Sequence, residues 1–130
     1  MVYGLEDENL WQAATGFGGG MGGSQDVCGA VSGGVLAASV ALGRLGGEPA
    51  KARARTYKVV KDVYARFVQE FGQPDCRTLT GFDFNEPGGY DRFHESSVRA
   101  EKCPRLVTFM VETVAAMEQD RRNREASKGS

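Results

Sequence analysis

Apolar positions recur at helical spacing over most of the chain, and no run alternates in the two-residue rhythm of a strand. Residues 5–14 carry helix formers with Leu10 and Trp11 on an apolar side and stop at Gly16, which predicts a short first helix. Residues 16–23 read Gly-Phe-Gly-Gly-Gly-Met-Gly-Gly and cannot form a regular element, since each Gly costs about 1 kcal/mol of helix relative to Ala. They predict a loop with special backbone angles. Ser24 then offers an N-cap and Asp26 a first-turn acid for a second helix, which runs to about Leu42 and is ended by Gly43, Gly46 and Gly47. Small residues fill two rows of this helix. Gly29, Gly33, Ala37 and Ala41 form one row and Ala30, Gly34 and Ala38 the other, so its neighbours can approach closely, with Gly33, Ala37 and Ala41 expected against another helix.

Pro49 opens a third helix in which Tyr57, Val60, Tyr64, Phe67, Val68 and Phe71 recur at helical spacing, and Gly72 closes it. Residues 74–79 predict one further helical turn. Residues 80–97 read as a long ordered loop anchored by Phe82, Phe84, Tyr90 and Phe93. Pro104 starts the last helix, with Leu106, Met110, Thr113, Val114 and Met117 as its core stripe, and the polar residues 119–130 predict a frayed end passing into disorder. The expectation is an all-α fold: one domain over residues 1–118, a small helical bundle of about four main helices with a Gly-rich loop before the central one.

A chain of 130 residues with 41% hydrophobic content can bury a core of its own. Sixteen basic residues against seventeen acidic ones leave a net charge of −1, which gives no electrostatic footprint for a nucleic-acid or anionic-membrane partner. Residues 27–45 are the one stretch that invites a membrane reading, but their Gly, Ala and Ser and the Arg44 at their end are poor material for a span. The acidic amino end lacks the pattern of a secretory signal, so a cytoplasmic setting is expected, where thiols rest reduced or hold metal.

Three cysteines carry the candidate chemistry. Each falls near the amino end of a predicted helix: Cys28 a turn after Ser24, Cys76 just after Pro74, and Cys103 immediately before Pro104. Unsatisfied amide groups and the helix dipole favour thiolate there, the form that attacks disulfides or binds metal, and Arg77, Lys102 and Arg105 act in the same direction. The competing reading is that free cysteines fill buried space. A shared site requires all three to meet at one pole of the bundle, with Cys28, behind the glycine loop, the most reactive. Gly18, Gly19 and Gly20 are the candidate cofactor-binding backbone. Residues 18–23 formally satisfy the dinucleotide pattern G-x-G-x-x-G, but no βαβ unit surrounds them, so a tight turn or a set of amides around a sulfur ligand is the better reading. His94, the one histidine, reads as an exposed loop residue, and no G-x-S-x-G elbow supports a serine hydrolase.

Residues 16–21 (Gly-Phe-Gly-Gly-Gly-Met), Cys28-Gly29-Ala30-Val31-Ser32-Gly33, Cys76-Arg77-Thr78-Leu79 with Gly81-Phe82-Asp83, and Cys103-Pro104-Arg105-Leu106-Val107 together resemble the bacterial and archaeal redox-active proteins named for their C-GCAxxG-C-C cysteine pattern. The resemblance spans roughly residues 10–118, and the C-G-A-x-x-G element after a triple glycine is its specific part. It implies a small helical protein with thiol-based or metal-binding chemistry, and a similar module stands beside the haem sites of split-Soret cytochromes in an iron–sulfur context. No haem-attachment C-x-x-C-H is present here. The family pattern begins with a further cysteine before the glycine loop that this chain does not carry, so it reads as an amino-terminally shortened member or a three-thiol variant. An iron–sulfur cluster, or another thiolate-bound metal, on Cys28, Cys76 and Cys103 would then need His94, an exogenous ligand or a second subunit as its remaining ligand. Two functions follow as expectations. One is thiol–disulfide exchange or electron transfer with a redox protein partner, with Cys28 the principal nucleophile or ligand and Cys76 and Cys103 resolving thiols or further ligands. The other is a non-enzymatic homodimer module whose small-residue helix packs on its copy and whose cysteines are inert.

Overall fold

A computed structural model of the chain describes residues 8–43 and 48–129. Those residues form six helices and no strand: α1 (Glu8–Ala14), α2 (Gly29–Ala38), α3 (Pro49–Phe71), α4 (Cys76–Thr80), α5 (Gly89–His94) and α6 (Cys103–Lys128). No helix among them is long and apolar enough to cross a membrane. The expected residues 5–7 of the first helix and the expected stops at Gly46 and Gly47 lie outside the described residues.

The core is made where α2, α3 and α6 pack. Val31 and Ala38 of α2 meet Val63 and Phe67 of α3 and Leu106, Met110 and Val114 of α6, and Leu79 of α4 closes one end. Phe67, Phe71 and Phe109 add an aromatic cluster, with ring centroids 4.9 Å apart for the tilted pair Phe67–Phe71 and 5.1 Å for the edge-on pair Phe71–Phe109. The last helix buries Leu106, Met110, Thr113 and Val114, four of the five positions its sequence pattern indicates, and Met117 packs against the core half-buried.

Several local expectations are corrected. The seam of α3 is Val59, Val63, Phe67 and Phe71, a strict four-residue row, whereas Tyr57 and Tyr64 face water. A tyrosine keeps its hydroxyl wet at little cost, so the valine row wins the interior. The close approach on α2 uses the row of Gly34 and Ala38: Ala38 is fully buried, and a Cβ on Gly34 would collide with the Met110 side chain. Gly33, expected against a helix, has nothing within 4 Å of the place its Cβ would occupy. Third, α6 does not begin at Pro104. A π turn over Val98–Lys102 runs straight into it. Proline has no N–H to give the carbonyl four residues back and its ring crowds that carbonyl, which accounts for the widened turn before Pro104. The segment expected to be a loop also holds α5.

Beyond residue 118, where the sequence predicts fraying, α6 continues to Lys128. Buried Glu118 anchors it, with Arg121 at 2.7 Å and Arg122 at 2.9 Å, while the second arm of Arg121 reaches Glu125 at 2.7 Å. The hydrogen bond from Arg121, aided by Arg122, outweighs burial and holds the Glu118 carboxyl below its ordinary value of 4.5. A carboxyl lowered on folding stabilises the fold above its unfolded value, and this contribution is lost as pH falls through the folded value. The urea midpoint is therefore expected to fall between neutral pH and pH values below about 4 more steeply for the native chain than for Glu118→Gln. Equal slopes would show that the cluster adds no pH-dependent stability.

Candidate functional site

The glycine run does one geometric thing. Gly19, Gly20, Met21, Gly22 and Gly23 all have φ between 61° and 81°, so the chain makes a left-handed turn that only a glycine-rich segment sustains. The Gly22 N–H donates to the Gly16 carbonyl at 2.8 Å, and the Gln25 and Asp26 N–H groups return to the carbonyls of Gly19 and Gly20 at 2.9 Å each. The turn delivers residues 26–28 beside residues 74–76. Val27 and Asp75 form an isolated antiparallel bridge, flanked by two hydrogen bonds of 2.7 Å, from the Cys28 N–H to the Pro74 carbonyl and from the Cys76 N–H to the Asp26 carbonyl.

Two cysteines are thereby tied to one another's strand of backbone. In an antiparallel pair the residues flanking the bridged position share one face, which puts Cys28 and Cys76 on the same side. Cys28 is the N-cap residue of α2, with extended backbone (φ −54°, ψ 136°), and its carbonyl receives the Val31 and Ser32 N–H groups. Ser24, expected in that role, lies in the preceding loop, because the bridge holds the chain extended until Cys28. Cys76 is the first residue of α4, capped by Asp75, whose carboxylate accepts the Thr78 N–H at 2.8 Å. Hydrogen bonding from the Thr78 side chain, and then from its N–H, holds the Asp75 carboxyl below its ordinary value. Asp75→Ala is expected to cost about 1 kcal/mol, the usual price of a lost N-cap, and to increase amide hydrogen exchange in α4 before other helices. Unchanged α4 exchange would contradict it.

Cys103 departs from its expected setting. It follows the π turn inside one continuous helical run, so it has no free helix amino end of its own. The three thiols nevertheless feel one another. Burial chiefly pushes the Cys76 thiol above its ordinary value of 9.0, and Cys28, Cys103 and Asp75 push the same way. Burial and then Cys28 push Cys103 up as well, against the opposing charges of Arg99 and Lys102. Cys76 is buried, whereas Cys28 and Cys103 are half-buried, and all three are free thiols. Among the described residues no three His, Cys, Asp or Glu side chains are gathered as a metal-ligand set. His94 is exposed and stacked on Tyr90 with centroids 5.9 Å apart.

The candidate glycines differ in role. Gly18 is exposed, Gly19 lies against the Phe84 ring, and Gly20 is buried with Cys76 beside it. Gln25 is the residue that sequence reasoning missed. It is buried, with φ 60°, and its carboxamide bonds the backbone of Phe82 and Phe84 at 2.8 Å each. A polar residue directly after Gly-Gly-Ser carried no pattern that distinguishes it from a surface loop. Helices α1, α2 and α6 frame an apolar cleft of about 540 Å³, floored by Gly29, Gly33 and Ala37 and rimmed by Trp11, Val107 and Val111.

A small all-α protein with three free thiols, two of them joined through their backbones at a left-handed glycine turn, falls in the class of helical thiol proteins. The chain belongs to the family described as "Putative redox-active protein (C_GCAxxG_C_C)", whose model matches residues 1–117. No curated protein and no solved structure matches it.

Proposed function

We propose that the protein performs thiol–disulfide exchange, with Cys28 as attacking thiol, Cys76 as resolving thiol and Cys103 as a reserve thiol. The observation that carries this reading is the pair of 2.7 Å backbone hydrogen bonds holding Cys28 and Cys76 on one face of the Val27–Asp75 bridge. Burial works against a thiolate at Cys76 and at Cys103, so the attacking role falls to Cys28. The Cys28 thiolate displaces one sulfur of a partner's disulfide, forming a mixed disulfide and releasing that sulfur as a thiolate. Cys76, losing its proton to solvent, then attacks Cys28 Sγ and releases the partner's second sulfur. The partner gains two electrons and the chain closes a Cys28–Cys76 disulfide. A redox protein that returns the disulfide to dithiol completes the cycle, and three free thiols suit a reducing compartment such as the cytoplasm. The test uses Cys76→Ser with a disulfide-bonded peptide. A mixed disulfide at Cys28, stable in the variant and transient in the native chain by mass spectrometry, supports the reading. Trapping at Cys103 instead would overturn the assignment.

A second reading rests on the apolar cleft. Its open floor at Gly33 and Ala37, beside Trp11 at 63% exposure, favours a homodimer in which the small-residue row of α2 packs on its copy. Sedimentation of the native chain beside Gly33→Leu separates the two, since a monomer in both leaves the cleft no such role.

A further inference from the structure

Gln25 sits at the junction of three segments. Its backbone N–H donates to the Gly19 carbonyl at 2.9 Å, inside the left-handed turn, and its carbonyl accepts the Arg77 N–H at 3.3 Å, one residue past Cys76. Its side chain reaches the third segment. Nε2 donates to the Phe82 carbonyl and Oε1 accepts the Phe84 N–H, both at 2.8 Å. Beyond these lies a ring cluster, Phe82 on Phe93 at 5.7 Å and Phe84 on Phe93 at 5.0 Å and Tyr90 at 5.2 Å. The far side of α4 is tied to the same loop, because Thr80 Oγ1 donates to the Cys76 carbonyl at 2.8 Å and accepts the Phe82 N–H at 3.3 Å.

The backbone of Gln25 would prefer another residue. Its φ of 60° lies where glycine is at ease and a long side chain rarely goes, yet the five preceding left-handed positions are almost all glycine and this one is not. A residue kept in a disfavoured conformation, buried at 6% exposure, is kept for its side chain. The carboxamide also lies beside the Cys76 thiol and favours its anion, opposing burial and the charges of Cys28, Cys103 and Asp75 that face the same sulfur.

On the exchange reading given above, we infer that Gln25 is the positioning residue of the thiol site: its carboxamide locks the loop at Phe82–Phe84 to the glycine turn and holds Cys76 in register with Cys28. Thiols held in register have a high effective concentration, which favours their disulfide. Loosening Cys76 lowers that concentration and makes the disulfide easier to reduce.

The experiment uses the full chain with Gln25→Gly and Gln25→Glu. Glycine suits the left-handed angle, so this variant deletes the carboxamide while relaxing the backbone. Glutamate keeps the length and the acceptor for the Phe84 N–H but replaces the donor to Phe82 by an oxygen. In glutathione redox buffers, the equilibrium constant for the Cys28–Cys76 disulfide is expected to fall about tenfold in Gln25→Gly, a potential about 30 mV less negative, and to fall also in Gln25→Glu. In the reduced proteins, amide hydrogen exchange at Cys76 and Phe84 is expected to quicken in both variants, with that at Met110 in the core unchanged. Equilibrium constants within about twofold of the native chain, with amide hydrogen exchange at Cys76 and Phe84 unchanged, overturn the inference. If Gln25→Gly does not fold, Gln25→Glu decides alone. A native chain that forms no disulfide at Cys28 under oxidised glutathione sinks the exchange reading itself, while faster amide hydrogen exchange confined to Cys76 and Phe84 in the variants still upholds the positioning role.

Discussion

Cys28→Ser is expected to abolish disulfide exchange while leaving the fold as stable as before or slightly more so. The two halves of that result have separate causes. Serine replaces sulfur by an oxygen that stays protonated at neutral pH, so no nucleophile remains at the face shared with Cys76. Cys28 also occupies the N-cap of α2 without a side-chain cap hydrogen bond, and serine is among the preferred residues at that position. A serine hydroxyl bonding an open amide of the first turn would stabilise the helix by up to about 1 kcal/mol. Loss of activity with a raised or equal melting temperature therefore separates chemistry from folding. The pH dependence follows from Cys76. Burial raises that thiol above 9.0, so the resolving step is expected to quicken about tenfold per pH unit through neutral pH and beyond, without levelling at the ordinary thiol value. A Cys28→Ser chain that still exchanges disulfides, or a resolving step that levels off below pH 9, would place the chemistry elsewhere.

The helices were legible because their punctuation is local. Pro49 at the first turn and Gly72 after Phe71 bound α3 at the residues where the structure bounds it, and the stripe from Leu106 to Val114 names the buried face of α6. Positions set by tertiary contact were not legible. Two equivalent small-residue rows lie on α2, and only the position of Met110 decides that Gly34 takes the close contact while Gly33 opens into a cleft. The start of α2 moved from Ser24 to Cys28 because a bridge to Asp75, nearly fifty residues away in sequence, keeps the chain extended. That same bridge brings Cys28 to Cys76, so the thiol pair could be suspected from the two residues but its geometry belongs to the folded chain. Gln25 shows the limit most sharply, since its partners Phe82 and Phe84 are non-local and its side chain has no sequence signature.

Gly20→Ala tests the turn on which the site rests, and its effect is expected to be the largest of any conservative change in the loop. At φ 68° an alanine carries a left-handed penalty of roughly 1–2 kcal/mol. Its Cβ would also sit 2.6 Å from the Asp26 carbonyl oxygen, 2.7 Å from the Asp26 nitrogen and 2.7 Å from the Cys76 Cβ. The first two are backbone atoms already committed, the oxygen to the Cys76 N–H beside the bridge and the nitrogen to the Gly20 carbonyl, so no side-chain rotation relieves them, and overpacking of this kind costs about 1–3 kcal/mol more. The sum, about 2–5 kcal/mol, is a large fraction of the stability of a small domain. Gly18→Ala is the control two residues away: its φ is −58° and nothing lies within 4 Å of the added carbon, so its stability should change by no more than about 0.5 kcal/mol. Urea midpoints of the two variants measure the contrast. Because the third clash is with Cys76 itself, the folded fraction of Gly20→Ala should also exchange disulfides more slowly than the native chain. If Gly20→Ala matched Gly18→Ala in stability, the turn would have to pass Cys76 at a greater distance than it does in this structure, and the reason given for the glycine run would fail with it.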